Sequence, residues 1–381
     1  MDDNLANKID YELITDLKRL QGLVIQWQEA KFLAIDTEFI RTCTFLAQPG
    51  LIQIADTQGV YLIDPAAITD LSLLVDILEN PNIIKIMHSM SEDVDLLFHS
   101  VGAQITRVFD TQIAAAFLGF GPALGYQNLV SEVLSVDLDK GETRSDWLQR
   151  PLTQSQLHYA ALDVIYLLKL YHELQPRLQK AHYWDALFDE AQLLISQVFS
   201  AWQTPELAYL KLRGACELDE QSQRLLQSLV IWRDATAFKE NIPKPWVFND
   251  ASLIEIARLK PFVSADLKKI KGIQGKSIRQ FSERLLAEID GFTYEPTTEF
   301  AMIDGPVKAG ELVIYRRLKS EVAKVSNETK IPAQLLGSRK MLENLVIHCS
   351  RLSNKDFTLE YKGWREKLMG NRFRHILFEP S

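Results

Sequence analysis

A chain of 381 residues, 47% hydrophobic and 24% charged, is long enough for two or three domains and has the composition of an ordinary globular protein. It has no run of 18 apolar residues to cross a membrane, and Cys43, Cys216 and Cys349 lie too far apart for a disulfide framework or a cysteine zinc site. The net charge of −8 conceals a division: residues 1–200 carry 27 acidic and 13 basic side chains, net −14, while residues 201–381 carry 23 and 29, net +6.

The N-terminal stretch MDDNLANKID is acidic where a secretory signal is basic and then apolar, so a reducing, cytoplasmic location is expected. Helical periodicity runs through YELITDLKRLQGLVIQWQEA (11–30). Three strands follow, FLAIDTEF (32–39), GLIQIAD (50–56) and GVYLIDP (59–65), with AQPG and DTQG as turn signals for short antiparallel connections. Strand and helix then alternate. NIIKIMHS (82–89) leads into SEDVDLLFHSVG (91–102), and ITRVFDT (105–111) leads into TQIAAAFLGF (111–120), the pattern of βα units. The expected architecture is a mixed five-stranded sheet flanked by helices. Thr153 and Gln156 make a capping box that opens a long helix through PLTQSQLHYAALDVIYLLKLY (151–171).

Beyond residue 200 the period is helical throughout, with breaks at AWQTPELA (201–208) and GFTYEPTTEF (291–300). LLQSLVIWRDATA and IPKPWVFND in the first unit are echoed in the same order by ELVIYRRLKSEVA and IPAQLLGSR in the second, as in a diverged repeat. The expected domains are 1–204, 205–294 and 295–381.

The strand ends and helix starts of such a sheet are the natural place for a site. Asp36 and Glu38 flank Thr37, so period 2 points both acids to one face, where their repulsion needs a cation or a shared proton. Asp93 falls in the first turn of a helix, a position that suits either a ligand or an ordinary helix-start acid. Asp163 sits among AAL and VIYLL on the long helix, either turned into a site or partly exposed on an amphipathic face. Four carboxylates from these positions would make a hard, oxygen-rich site for two Mg2+ or Mn2+ ions, which suits phosphodiester displacement. Tyr159 lies four residues before Asp163 and shares its helical face, whereas His158, five before, is turned about 140° away. Eight basic residues stand between Arg258 and Arg284 against two acids, and KGIQGK (271–276) puts glycines and lysines at a helix start, either a phosphate site or a solvated face.

DTEF (36–39), IMHSMSED ending at Asp93, FDTQIAA (109–115) and HYAALDVIYL (158–167) resemble, in order, the exonuclease motifs of the DEDD superfamily, and their combination is most similar to the bacterial ribonuclease D family. LLQSLVIWRDATAFKENIPKPWVFNDASLIEIARLKP with LKKIKGIQGKSIRQFSERLL resembles an HRDC domain, and residues 300–381 resemble the family's second, more diverged one. The resemblance implies a ribonuclease H-like α/β exonuclease domain followed by two all-α HRDC-type domains. It implies a 3′→5′ exoribonuclease that acts on single-stranded RNA ends, including those of tRNA precursors, and releases nucleoside 5′-monophosphates. A monomer that binds no membrane is also expected. By the motif match Asp36, Glu38, Asp93 and Asp163 hold the ions, Glu38 receives the 3′-hydroxyl, Tyr159 orients the attacking water and Phe39 meets the last base. Lys268, Lys269, Lys271, Lys276 and Arg279 are the expected phosphate contacts. The alternatives are a DNA 3′→5′ exonuclease and a non-catalytic RNA-binding scaffold. All four carboxylates are present, which argues against the scaffold.

Overall fold

Glu12–Ile14 form a short strand, β1, in place of the start of the first helix. The helix is delayed because the Asp16 carboxylate accepts from the Arg19 backbone N–H at 2.9 Å and caps α1 (Leu17–Trp27). The sheet therefore has six strands rather than the expected five. Three residues are too few to reveal a period of two, and the partner of β1 lies far along the chain. The computed structural model describes residues 9–68, 70–138, 141–142, 144–295, 300–351 and 363–378. The N-terminal residues 1–8 and residues 296–299 of the second expected break fall outside them.

β2 (Phe32–Ile40), β3 (Gln48–Ala55) and β4 (Val60–Ile63) form the expected antiparallel meander. Leu33, Ala34 and Ile35 of β2 are wholly buried, as a strand covered on both faces requires. The DTQG turn is held by Asp56, whose Oδ1 accepts from the N–H groups of Gln58 (2.7 Å) and Gly59 (2.9 Å). AQPG makes no turn: Gln48, Pro49 and Gly50 are already strand, and the pairing with β2 shifts register there. Proline is tolerated at such a strand start beside a bulge.

A one-turn helix α2 (Val75–Leu78) precedes two βα units, β5 (Ile84–Met87) with α3 (Ser91–Ser100) and β6 (Val108–Asp110) with α4 (Thr111–Phe117). The strand order is β1-β4-β3-β2-β5-β6, with β1, β5 and β6 parallel to their inner neighbours. α5 (Tyr126–Leu134) leads to α6 (Gln154–Lys180), opened by the reciprocal bonds of the Thr153–Gln156 capping box. α6 lies across β2, β3 and β4, and α7 (Trp184–Gln203) follows.

The chain separates into two compact units: residues 1–40, 48–198 and 307–381 in one, and residues 41–47 and 199–306 in the other. The second holds α8 (Glu220–Glu240), α9 (Lys244–Val247), α10 (Asp250–Leu259), α11 (Ser264–Leu267) and α12 (Gly275–Asp290). Leu226, Leu229, Val247, Phe248, Leu253 and Phe281 are the centre of its core. Its short segment 41–47 contributes Phe45, packed 5.7 Å from both Trp202 and Phe238.

The remaining helices are α13 (Glu311–Thr329), α14 (Ala333–Leu336), α15 (Arg339–Arg351) and α16 (Trp364–Phe378). Their order repeats that of the second unit. A long helix ends at a left-handed residue (Asn241, Lys330), a proline (Pro243, Pro332) precedes a four-residue helix, and a third helix follows. These helices nonetheless belong with the sheet. Arg365, buried, reaches Glu190 of α7 at 2.6 Å and the Leu335 carbonyl at 2.8 Å, and Trp364 meets Phe117 edge-on at 4.9 Å. Among the described residues, no helix is long and apolar enough to cross a membrane.

Candidate active site

The alternation of β2 places Asp36 and Glu38 on the side covered by α6 and turns Thr37 to the other side. On α6, Ala160 and Ala161 are wholly buried, and small side chains there let the helix approach the sheet closely enough to bring Asp163 to the strand. One carboxylate oxygen from each of Asp36, Glu38 and Asp163 lies within 4.8 Å of the others. Asp93, in the first turn of α3, is buried, and its Oδ1 accepts a hydrogen bond from the Thr37 hydroxyl. The threonine between the paired acids thus fixes the fourth carboxylate. All four line one cavity of about 280 Å3, together with Phe39 and Tyr159.

Tyr159 donates a hydrogen bond to Asp163, the partnership its helical spacing allows, while His158 lies outside the cavity lining. Behind Tyr159 stands Trp147, fully buried, with ring centroids 6.1 Å apart. Trp147 reaches this place because Gly50, the extra residue of the β3 bulge, has no side chain: a Cβ there would lie 2.6 Å from the Trp147 Cβ. Arg150 holds the segment down. It makes a two-pronged bond to Asp64 (2.6 and 2.9 Å) and donates to the carbonyls of Gly50 (2.7 Å) and Trp147 (2.9 Å).

Three further cavity residues had no marker in the sequence. The Tyr126 hydroxyl donates to the backbone carbonyl of Asp163 and so fixes α6 at its acid. The Nδ1 atom of His88 lies 2.9 Å from the Thr111 hydroxyl, and its ring meets Tyr126 edge-on at 5.4 Å. Ser89 adopts a left-handed φ of 56° where β5 gives way to α3, a strained conformation of the kind that collects at functional sites. IMHS carries both His88 and Ser89, but only the fold shows that they face the acids.

Burial pushes every one of the four acids up. For Asp36 the charge of Asp163 adds to burial, and for Asp93 the charge of Asp36 adds, opposed by the bond from Thr37. Glu38 is pushed up to about 10 by burial and then by Asp36, Asp163 and Asp93. Asp163 is pushed up to about 8 by burial, against the stabilising bond from Tyr159. Burial also raises the Tyr126 phenol and lowers His88. A donor set made only of carboxylate oxygens, closely spaced and unable to ionise together without help, fits a hard divalent cation.

The basic residues belong to the second unit. Lys268, Lys269, Lys271, Lys276 and Arg279 are exposed around α11 and the start of α12. Lys269 pairs with Asp266 at 2.7 Å, and the Lys276 ammonium lies 5.4 Å from the centre of the Trp246 ring. The Gln274 side chain leaves the α12 N-terminus uncapped, with Gly272 at φ 90° before it.

A mixed sheet with acids from β2, α3 and α6 in one cavity, beside a tyrosine, defines a 3′→5′ exonuclease of the carboxylate type. The sequence comparisons agree: a 3′-5′ exonuclease family matches residues 11–179 and the HRDC domain matches residues 222–289. The chain is 33% identical to ribonuclease D from Shewanella sp. (strain ANA-3) over 360 residues, 94% of this chain and 92% of that protein. It is 33% identical to ribonuclease D from Escherichia coli (strain K12) over 374 residues, 97% and 99% of the two chains. The crystal structure of Escherichia coli RNase D, an exoribonuclease involved in structured RNA processing, superposes with a TM-score of 0.87 at 32% identity, covering 97% of this chain and 99% of that one. The chain belongs to the ribonuclease D family, and it is a 3′→5′ exoribonuclease.

The raised acids set a pH dependence. Carboxyls whose folded pKa lies above the unfolded value stabilise the fold fully below the unfolded values, 3.8 for Asp163 and 4.5 for Glu38. This contribution is lost as the pH rises through about 8 for Asp163 and about 10 for Glu38. The melting temperature of metal-free protein is therefore expected to fall between pH 6 and about 9, less steeply in Glu38→Gln, and added Mg2+ should raise it more at the higher pH. Calorimetric melts across that range check this; a Mg2+ effect that shrinks as the pH rises would contradict it.

Proposed function

We propose that this chain trims single-stranded RNA from the 3′ end and releases nucleoside 5′-monophosphates, with two divalent ions held by Asp36, Glu38, Asp93 and Asp163. The observation that carries this reading is the convergence of those carboxylates beside a tyrosine already bonded to one of them. Mg2+ or Mn2+ would lower the pKa of the attacking water and neutralise charge at the leaving oxygen. Asp36, Glu38 and Asp163 would hold one ion, and Asp36 would also reach the second, to which Asp93 contributes. Thr37 holds Asp93 in place, and Tyr159, braced by Trp147, orients the water. Glu38 receives the terminal 3′-hydroxyl, which makes a free end a requirement. Phe39 lies at the same cavity and meets the last base.

The acid-rich half repels a polyanion, so Lys268, Lys269, Lys271, Lys276 and Arg279 supply the attraction for phosphates. We read the chain as an exonuclease domain (1–204), an HRDC domain (205–294) and an HRDC-like domain (295–381). The repeated helix order of the last two supports that division. The protein acts as a cytoplasmic monomer, with the 3′ ends of tRNA precursors as substrates. The family and its E. coli member's part in structured RNA processing support that choice.

Single-stranded RNA with a free 3′ end should shorten one nucleotide at a time with Mg2+ and remain intact with chelator. Asp36→Asn should abolish shortening while a filter-binding assay still detects RNA. A matched DNA strand degraded faster than RNA would move the enzyme to DNA, and RNA shortening by Asp36→Asn in Mg2+ would remove the metal assignment.

Tyr159→Phe should lower single-turnover cleavage about a hundredfold with RNA affinity kept, and His158→Ala should be nearly neutral. The opposite ranking would make the histidine the working residue.

Replacing Lys268, Lys269 and Lys271 together with alanine should weaken RNA binding and flatten its dependence on salt by about 0.7 in log–log slope for each phosphate no longer neutralised. An unchanged slope would show that these lysines carry no phosphate.

A further inference from the structure

Gln53 is a buried residue of β3 whose chemistry the two-ion reading does not use. Its side chain is wholly buried, with 0% exposed, and neither its Oε1 nor its Nε2 has a hydrogen-bond partner among the described residues. Nearly all buried side-chain amides are paired, and an unpaired one is retained against a standing cost. The sheet register says what lies beside it. Gln53 is opposite Asp36 on β2 and opposite Leu62 on β4. Its neighbours on the same face of β3 are Leu51 and Ala55, both buried and apolar. Directly opposed residues of an antiparallel pair point the same way, with Cβ atoms about 5 Å apart, within reach of a glutamine side chain. Asp36 is therefore the polar group the ladder offers to this amide.

We propose that Gln53 is a positioning residue for Asp36: unpaired in this structure and opposite Asp36 in the ladder, it donates its Nε2–H to the Asp36 carboxylate when divalent cations bind and holds it in the orientation that keeps them. The proposal rests on the two-ion reading of the four acids. A carboxylate that serves two ions must keep one rotamer, and carboxylate ligands are commonly held by hydrogen bonds from residues that do not touch the metal. An amide suits this place better than a charged donor. It carries no proton that titrates, and it adds no positive charge to compete with the ions for the same carboxylate. If Gln53 served only to fill space between β2 and β4, an apolar side chain of the same length would do so without the unpaired groups.

That contrast gives the test. Gln53→Met and Gln53→Leu remove both unpaired polar atoms while keeping the bulk. In metal-free protein the melting temperature is expected to stay level or rise, while Mn2+ affinity, titrated by calorimetry without RNA, falls about tenfold or more. Turnover with saturating RNA and limiting Mn2+ should fall in parallel and recover in part when Mn2+ is raised. Mn2+ affinity within twofold of the parent in a folded variant would overturn the proposal while leaving the metal reading intact. Parent protein that binds no Mn2+ would overturn both. A measurement on the unmutated chain stands independently of how the variants fold: in protein labelled with 15N-glutamine, the Gln53 side-chain amide signal should shift on Mg2+ addition and remain unmoved in Asp36→Asn. An unmoved signal in the parent overturns the proposal.

Discussion

Like charges that must share a small buried volume are the constraint on which the rest of this molecule depends. Three carboxylates with oxygens inside 4.8 Å cannot all ionise in a half-buried cavity unless cations take up the charge. Everything around them resists the relaxation that repulsion would otherwise drive. Asp36 and Glu38 are locked to one side of a strand that is paired with β3 along its length and with β5 up to Ala34. Asp163 cannot withdraw, because α6 is capped at its start, seated on alanines and bonded by Tyr126 at the backbone of the acid itself. The crowding and burial raise the pKa values of Glu38 and Asp163, and a divalent ion among them would lower those values again.

A second layer of residues sets the angles. The bulge at Gly50 lets Trp147 come up against the sheet, Arg150 ties that contact to Asp64, and Trp147 in turn braces Tyr159. None of these residues has to touch a substrate to matter. Positioning within fractions of an ångström is where a large share of catalytic power resides, and rigid elements provide it better than loops.

Much of this was legible from the chain alone, and what was legible shares a physical character. The apolar run before Asp36, the capping box at Thr153 and the four-residue step from Tyr159 to Asp163 are local signals, written within one or two turns of the residue they concern. The misses are non-local. β1 has three residues and finds its partner nearly fifty positions later, and Pro49 reads as a turn residue until the bulge that accepts it is seen. The pairing of Arg365 with Glu190, 175 positions away, likewise has no spacing that announces it. His88, Tyr126 and Gln53 are ordinary residues by type, and only the register and packing give them neighbours worth having.

The short segment between β2 and β3 has a consequence for how the chain is made. Phe45 is completed by Trp202 and Phe238, which leave the ribosome more than 150 residues later, on the order of ten seconds at bacterial rates. The strand pair that carries the acids is synthesised early, yet the aromatic between its strands has no complete pocket until most of the polypeptide exists. Glu190 of α7 in turn waits for Arg365, synthesised last, as its partner. Each unit holds a piece that the other's synthesis interrupts, so neither is a cassette that recombination could lift out with a single pair of cuts, and a nascent chain stalled between residues 47 and 199 would display an uncovered phenylalanine to chaperones.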